Sequence, residues 1–324
     1  MLARRRALKL HGREILRTPL LVPSFSSKGF PDVKKIVAYS SEVIAGAALV
    51  SAYDLHYEKI SPPFDFPSLL FLDSGGYEAS KEAELSDFGE RDHVPKHWTV
   101  EMHEAQLAKW QPSVPSVIIS YDHPKAKLLI KEQILRAKAM APGRANLMRE
   151  ILLKPETEMQ TLIHVDSIIA NIHDLANFDV IGVTEKEIGS SILSRMQNIA
   201  KLRTALDKAG IEVPIHVFGS LDTVTTPLYF LAGADIFDGL TWLRFAFHEG
   251  QTIYKQNFGA LHLGVKTPAH LIDGRCWNSN YYYIVELELQ MRRFLSDGNF
   301  AWFRFHRELF RATLASVKES VGEL

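Results

Sequence analysis

FDVIGVTEKEIGSSILSRMQNIAKLRTALDKAGIEVPIHVFG, residues 178–219, is the stretch on which the fold class turns. It opens on an apolar, β-branched run at 178–183 and closes on a second at 215–219. Between them Ile192, Leu193, Met196, Ile199, Ala200, Leu202 and Leu206 recur at helical spacing. Runs without polar alternation suit strands buried on both faces, as in parallel sheets flanked by helices. Working outward, similar runs occupy residues 20–25, 43–52, 69–73, 117–121, 150–154 and 234–240, and helical spacing returns at 98–110 and 125–140. Eight strand–helix units predict a (β/α)8 TIM barrel, with a C-terminal helical extension. A doubly wound open sheet is the competing topology. Its common nucleotide-binding versions find no support, since neither G-x-G-x-x-G nor G-x-x-x-x-G-K-[ST] follows any strand.

Residues 1–250 are expected to form the barrel. Residues 251–324 are expected to add an irregular segment at 251–277 and two terminal helices at 281–295 and 302–317, packed on it. The charged stretch 81–96 reads as a surface excursion. Composition places the chain among ordinary globular proteins, with 324 residues, 46% hydrophobic and 23% charged. Thirty-seven Lys and Arg against 38 Asp and Glu leave a net charge of −1, so a nucleic-acid surface would have to be a local basic patch. The single cysteine, Cys276, forms no internal disulfide and supplies only one of the four ligands of a zinc site. None of the 13 histidines falls in a metal-binding motif; His103, His164 and His173 lie in helical segments. No apolar run reaches the length of a signal peptide or membrane span, so the expectation is a cytoplasmic protein without membrane contact.

In a barrel the chemistry belongs to the C-terminal ends of strands and the loops after them. Those positions hold Tyr53, Asp54, the run Asp73, Ser74, Gly75, Gly76 and Tyr77, then Asp122, Lys154, Gly182, Gly219 and Asp238. A carboxylate closing a buried run is costly unless it has partners or a task, so Asp73, Asp122 and Asp238 are expected to converge on one cavity. Each alone could instead cap the following helix. Gly75 and Gly76 would let backbone approach a flat ligand, and Tyr77 would offer it a ring; a tight turn before a core aromatic is the plainer alternative.

The run FLDSGGYE at 71–78 resembles the D-S-G-G-[FY]-Q signature of the guanine transglycosylases, which exchange guanine in tRNA or DNA for a 7-deazaguanine. Six further segments resemble family motifs in order: residues 12–29 (GREILRTPLLVPSFSSKG), 51–55 (SAYDL), 120–122 (SYD), 180–182 (VIG), 217–219 (VFG) and 235–238 (DIFD). The family fold is a (β/α)8 barrel. The resemblance implies that Asp238 is the nucleophile on the sugar C1′ and Asp73 the general acid/base. It implies that Asp122 binds the guanine-like edge, that Gly182 and Gly219 offer backbone contacts, and that Tyr77 stacks on the base. Replacement with retention needs two inversions, hence a covalent glycosyl-aspartate intermediate and no cofactor.

Several positions depart from the family. Glu78 stands for its Gln, and Lys154 falls where a base-reading Gln would be. After the nucleophile, WLRFAFHEG at 242–250 keeps only Arg244 of a basic segment that grips tRNA. The three-cysteine zinc module is reduced to Cys276 and His306, so no metal is expected. These losses favour DNA over tRNA as the substrate. A basic surface would come from Arg4, Arg5, Arg6 and Lys9, from Arg244, and from Arg292, Arg293, Arg304, Arg307 and Arg311 among Trp302, Phe303 and Phe305. For any single arginine the plain alternative is a solvated helix face. A homo-oligomer and a partner protein both stay open. The readings from other classes are a metal-dependent barrel hydrolase using the three aspartates as ligands, and a non-catalytic partner subunit that binds nucleic acid.

Overall fold

A computed structural model describes residues 1–80, 93–122, 127–140 and 147–322. Most of the excursion expected at 81–96 therefore lies outside the described residues. The chain opens with an antiparallel hairpin, β1 (Ala7–Leu10) and β2 (Arg13–Arg17). Eight parallel strands follow: β3 (Leu20–Pro23), β4 (Ala47–Ser51), β5 (Leu69–Asp73), β6 (Ser116–Ile119), β7 (Met148–Leu153), β8 (Val180–Thr184), β9 (Ile215–Phe218) and β10 (Ile236–Gly239). They form one sheet in sequential order, with β10 beside β3, and the parallel bridge between Ser24 and Leu49 joins β3 to β4. All eight strands fall on the apolar runs of the sequence, and the (β/α)8 barrel stands as expected. Among the described residues, no helix is long and apolar enough to cross a membrane.

Side chains of alternate residues along each strand enter the barrel. Leu20, Val22, Leu49, Leu69, Phe71, Val117, Met148, Leu152, Val180 and Ile236 make up the inner core, joined by Leu8 of the hairpin. Because these include the first residues of several strands, the hairpin closes the N-terminal end of the barrel. The residues between them face the helices. There the helix Ile192–Lys208, capped by the Ser191 hydroxyl accepting from Ser194 N at 3.1 Å, buries Met196, Ile199, Ala200, Leu202 and Leu206. Ile192 and Leu193, placed on its apolar face by spacing, stay exposed in the first turn. Arg203 is buried in that face instead, because Asp235 at the foot of β10 pairs with it at 2.6 Å.

The segment expected to be irregular at 251–277 is ordered. A second hairpin joins β11 (Ala246–His248) to β12 (Gln251–Ile253), and the helix Lys255–His262 packs on a long helix, Ala269–Asp297. Gly259, a residue type that commonly breaks a helix and that falls in the segment expected to be irregular, is a packing residue: a Cβ there would lie 2.4 Å from Ile272 Cδ1, so only glycine lets the two helices approach. The long helix also fastens the loop after β10. Buried Asn280 donates to the carbonyls of Trp242 and Phe245 and accepts from Phe247 N at 2.7 Å. Trp242 in turn donates its indole N–H to Ser24 O at 3.1 Å.

Candidate active site

A cavity of about 920 Å³ opens at the C-terminal end of the barrel. Of the residues singled out from the sequence, Asp73, Gly76, Tyr77, Asp122, Lys154, Gly219, Asp238 and Arg244 line it. The alternation explains the strand-borne ones. Leu69 and Phe71 point inward on β5, so Asp73 does too; Ile236 points inward on β10, so Asp238 does too. Lys154 continues the inward series of Met148, Glu150 and Leu152, one residue past the end of β7.

Asp238 is almost fully enclosed and well supplied with donors. Ser24 Oγ donates to its Oδ2 at 2.7 Å, and Gly219 N donates to its Oδ1 at 3.1 Å. Gly219 adopts φ +77°, a left-handed conformation that turns its N–H toward the carboxylate.

Asp73 and Asp122 occupy a different electrostatic setting. Burial, the neighbouring Asp122 and then Glu78 push the Asp73 carboxyl well above its ordinary range, against one opposing bond from Gly75 N at 3.1 Å. Asp122 is also raised, chiefly by burial, though Lys154 Nζ at 3.7 Å and the Ser74 hydroxyl restrain it. Lys154 Nζ lies 2.7 Å from Glu187 Oε2, so one ammonium bridges two carboxylates on the cavity wall. The arrangement sets a donor-rich carboxylate, Asp238, beside a carboxyl biased to keep its proton, Asp73.

Tyr77 is pinned on two sides. Arg244 donates to its hydroxyl at 2.7 Å, and Lys28 Nζ lies over its ring at 4.2 Å. Behind it, Glu78 is buried and accepts from Ser26 Oγ and from Ser51 Oγ at 2.9 Å. Burial first, and Asp54 second, raise the Glu78 carboxyl to about 7; burial raises Asp54 to about 6. Between about pH 4.5 and 7 the folded chain thus holds a proton on Glu78 that the unfolded chain has lost. Stability should fall as pH rises through this window and then level off. Glu78→Gln should remove that part, becoming more stable relative to the parent by roughly 2 to 3 kcal/mol between pH 5 and pH 8. Denaturant midpoints at the two pH values test this; parallel pH dependences for parent and variant would refute it.

Three residues expected to touch the ligand do not line the cavity. Ser74 is buried and bonds Asp122 Oδ1, which places it behind the wall. Gly75, at φ +86°, is where the chain passes Tyr53: a Cβ would meet Tyr53 Cβ at 2.6 Å. Gly182 lies deeper in the barrel, where a Cβ would come within 2.7 Å of Glu150 Oε1 and of the Phe218 ring. Even Gly76, which does line the cavity, is small for a neighbour's sake, its missing Cβ leaving room for Asp122 Oδ1. Residues that the sequence reading missed are Ser24, Lys28, Glu187 and the pair Glu150 and His216. The last two carried a readable signal, a charged residue and a histidine at inward positions of apolar strands.

The basic candidates divide similarly. Arg6 is buried against Asp235 at 2.9 Å and is a structural residue. Arg292 and Arg311 pair with Glu288 and Glu308, Phe303 is core, and the helix Arg307–Gly322 packs on the outer helices Ile192–Lys208 and Thr225–Leu231. The cations that do line the cavity are Lys28, Lys127, Lys154, Lys186 and Arg244. Cys276 is buried beside Ala246 and Phe258, and burial raises its thiol to about 11. Among the described residues, no three His, Cys, Asp or Glu side chains are grouped as metal ligands.

The sequence matches no family model and no curated protein. Its class is accordingly defined by architecture: a (β/α)8 barrel whose C-terminal mouth holds a cavity ringed by carboxylates.

Proposed function

We propose that the protein is a nucleic-acid guanine transglycosylase that exchanges guanine for a 7-deazaguanine base, acting on DNA. The observation that carries this reading is the convergence of Asp73, Asp122 and Asp238 on one cavity, with Asp238 supplied with donors and Asp73 biased to hold a proton. The motif resemblance across residues 12–245 supplies the reaction. Asp238 attacks C1′ of the target nucleoside, forming a C1′–O bond as the bond from C1′ to guanine breaks. Asp73 gives its proton to the departing guanine. The incoming base then loses its ring N–H proton to Asp73 and attacks C1′, expelling Asp238. Two inversions restore the original linkage and both carboxyl groups.

Asp122 and Lys154 offer an acceptor and a donor to the base edge, and the pinned ring of Tyr77 offers a stacking surface. The target nucleoside must leave its duplex to reach them, because C1′ and the base edge are inaccessible within a paired stack. DNA is favoured over tRNA because the residues that grip tRNA in the family are those this chain lacks. Labelled guanine or 7-deazaguanine, offered with duplex DNA and with tRNA, tests both parts. Label is expected in DNA. Label in tRNA alone would reverse the choice of substrate, and label in neither would remove base exchange.

A further inference from the structure

Below the cavity floor lies a charged pair that the exchange steps do not use. Glu150 on β7 and His216 on β9 are both wholly buried, among inner residues that are otherwise apolar. His216 Nδ1 is 2.9 Å from Glu150 Oε1. On its other side, His216 Nε2 is 3.3 Å from Asp238 Oδ1, an ion-pair contact off the line of a hydrogen bond. The imidazole stacks on Phe218, with ring centroids 3.9 Å apart, and meets the edge of Phe71 at 5.5 Å.

Charged groups inside a barrel cost several kcal/mol each unless well paired. This pair joins no helix to the sheet. It has instead claimed space from the fold, since the close approach at Gly182 comes from Glu150 Oε1 and Phe218. The charges can be assigned from geometry. A carboxyl oxygen faces each ring nitrogen, an arrangement that two N–H groups would suit; burial raises the Glu150 carboxyl, and the facing His216 opposes that rise. Burial alone would lower the His216 pKa, but Glu150 and then Asp238 outweigh it and bring it to about 9. Among the described residues, the carboxyls against the ring are those of Glu150 and Asp238, and its other neighbours include Phe71, Phe218 and, across the strand pair, Gly182.

We infer that Glu150 and His216 form a buried relay that positions Asp238 for attack from beneath the cavity. His216 touches no substrate. It is a positioning residue that acts through Asp238, with Glu150 holding the imidazolium as a second carboxylate holds a histidine in other active sites. The inference rests on the reading of Asp238 as the reacting carboxylate, and it completes the division of labour with Asp73. Burial and the neighbouring Asp122 favour the proton on Asp73, while the His216 ring lies against Asp238.

Nitrogen-15 NMR of the histidine-labelled full chain reads the relay without any turnover. One histidine should remain doubly protonated until about pH 9. Its resonance should vanish in His216→Gln and titrate at lower pH in Asp238→Asn. In the incorporation assay, His216→Gln and Glu150→Gln should each lower kcat about 100-fold while leaving KM within about threefold. His216→Gln should also lose the part of the alkaline limb that falls near pH 9, leaving the part set by the Asp73 proton. A neutral His216 at pH 7.5 would overturn the relay even in an active enzyme, as would parental kcat in both variants. A parent chain that labels no nucleic acid would instead defeat the base-exchange reading, and the NMR result would still report the charge of His216.

Discussion

Asp238→Ala is expected to abolish incorporation of labelled base, lowering turnover by about 10⁴-fold or more, with no covalent adduct between protein and nucleic acid. The size follows from what the substitution removes. Ser24, Gly219 and His216 remain in place around an empty position, so the site keeps its donors and loses the only atom that bonds C1′. Asp238→Asn separates charge from volume: it preserves the shape, keeps one oxygen to accept from Gly219 N or from Ser24 Oγ but not from both, and should be as inactive. The Asp73→Asn variant should behave differently, since the nucleophile is intact while the departing base has no proton donor; adduct should form slowly and turnover should still fail. Denaturing gels of protein incubated with nucleic acid read both outcomes. An adduct that survives in Asp238→Ala would move the nucleophile to another residue.

The largest effect on stability is expected three residues earlier. Asp235 accepts from Arg6 at 2.9 Å and Thr18 at 3.3 Å on one oxygen, and from Arg203 at 2.6 Å and Ile215 N at 2.9 Å on the other. Arg6 and Arg203 are both buried, and burial draws the Arg203 guanidinium down to about 10 although Asp235 opposes it. Asp235→Ala leaves buried Arg203 with carbonyl acceptors only and Arg6 with the longer contact to Asp207 at 3.5 Å, an expected loss of about 3 to 5 kcal/mol. An exposed ion pair such as Lys35 with Asp32 would contribute far less, because solvent screens it, which is the reason to choose Asp235. Urea denaturation measures it, as a lower midpoint with an unchanged slope. A loss below about 1 kcal/mol would show that water reaches both guanidiniums.

The eight strands were legible because a strand buried on both faces carries an unbroken apolar signature, and each run in this chain coincides with one. Asp73 and Asp238 were legible because a charge that ends such a run stands out. What could not be read were relations between distant segments. Glu150 and His216 are 66 residues apart, and each alone is one polar residue in an apolar strand. Gly182 was expected near the ligand, but its smallness answers to Glu150 and Phe218, side chains that only the closed barrel brings to it. Arg6 looked like part of a basic tail because the chain carries no sign that the first hairpin folds back onto β10. Gly259 looked like a break for the same reason, its partner Ile272 lying on another helix.

β10 is only four residues long, with Asp235 immediately before it and Asp238 third within it. A slip of one residue against β3 and β9 would turn Asp238 toward the helices and bring Phe237 into the cavity. The same slip would draw Asp235 away from both guanidiniums. The strand therefore works as an indexed key: the clamp at its foot sets the aim of the group at its head, and a misthreaded barrel is inert and unstable together. On the proposed reading of Asp238, activity would then report the correct register of β10, because a one-residue slip withdraws the carboxylate from the cavity.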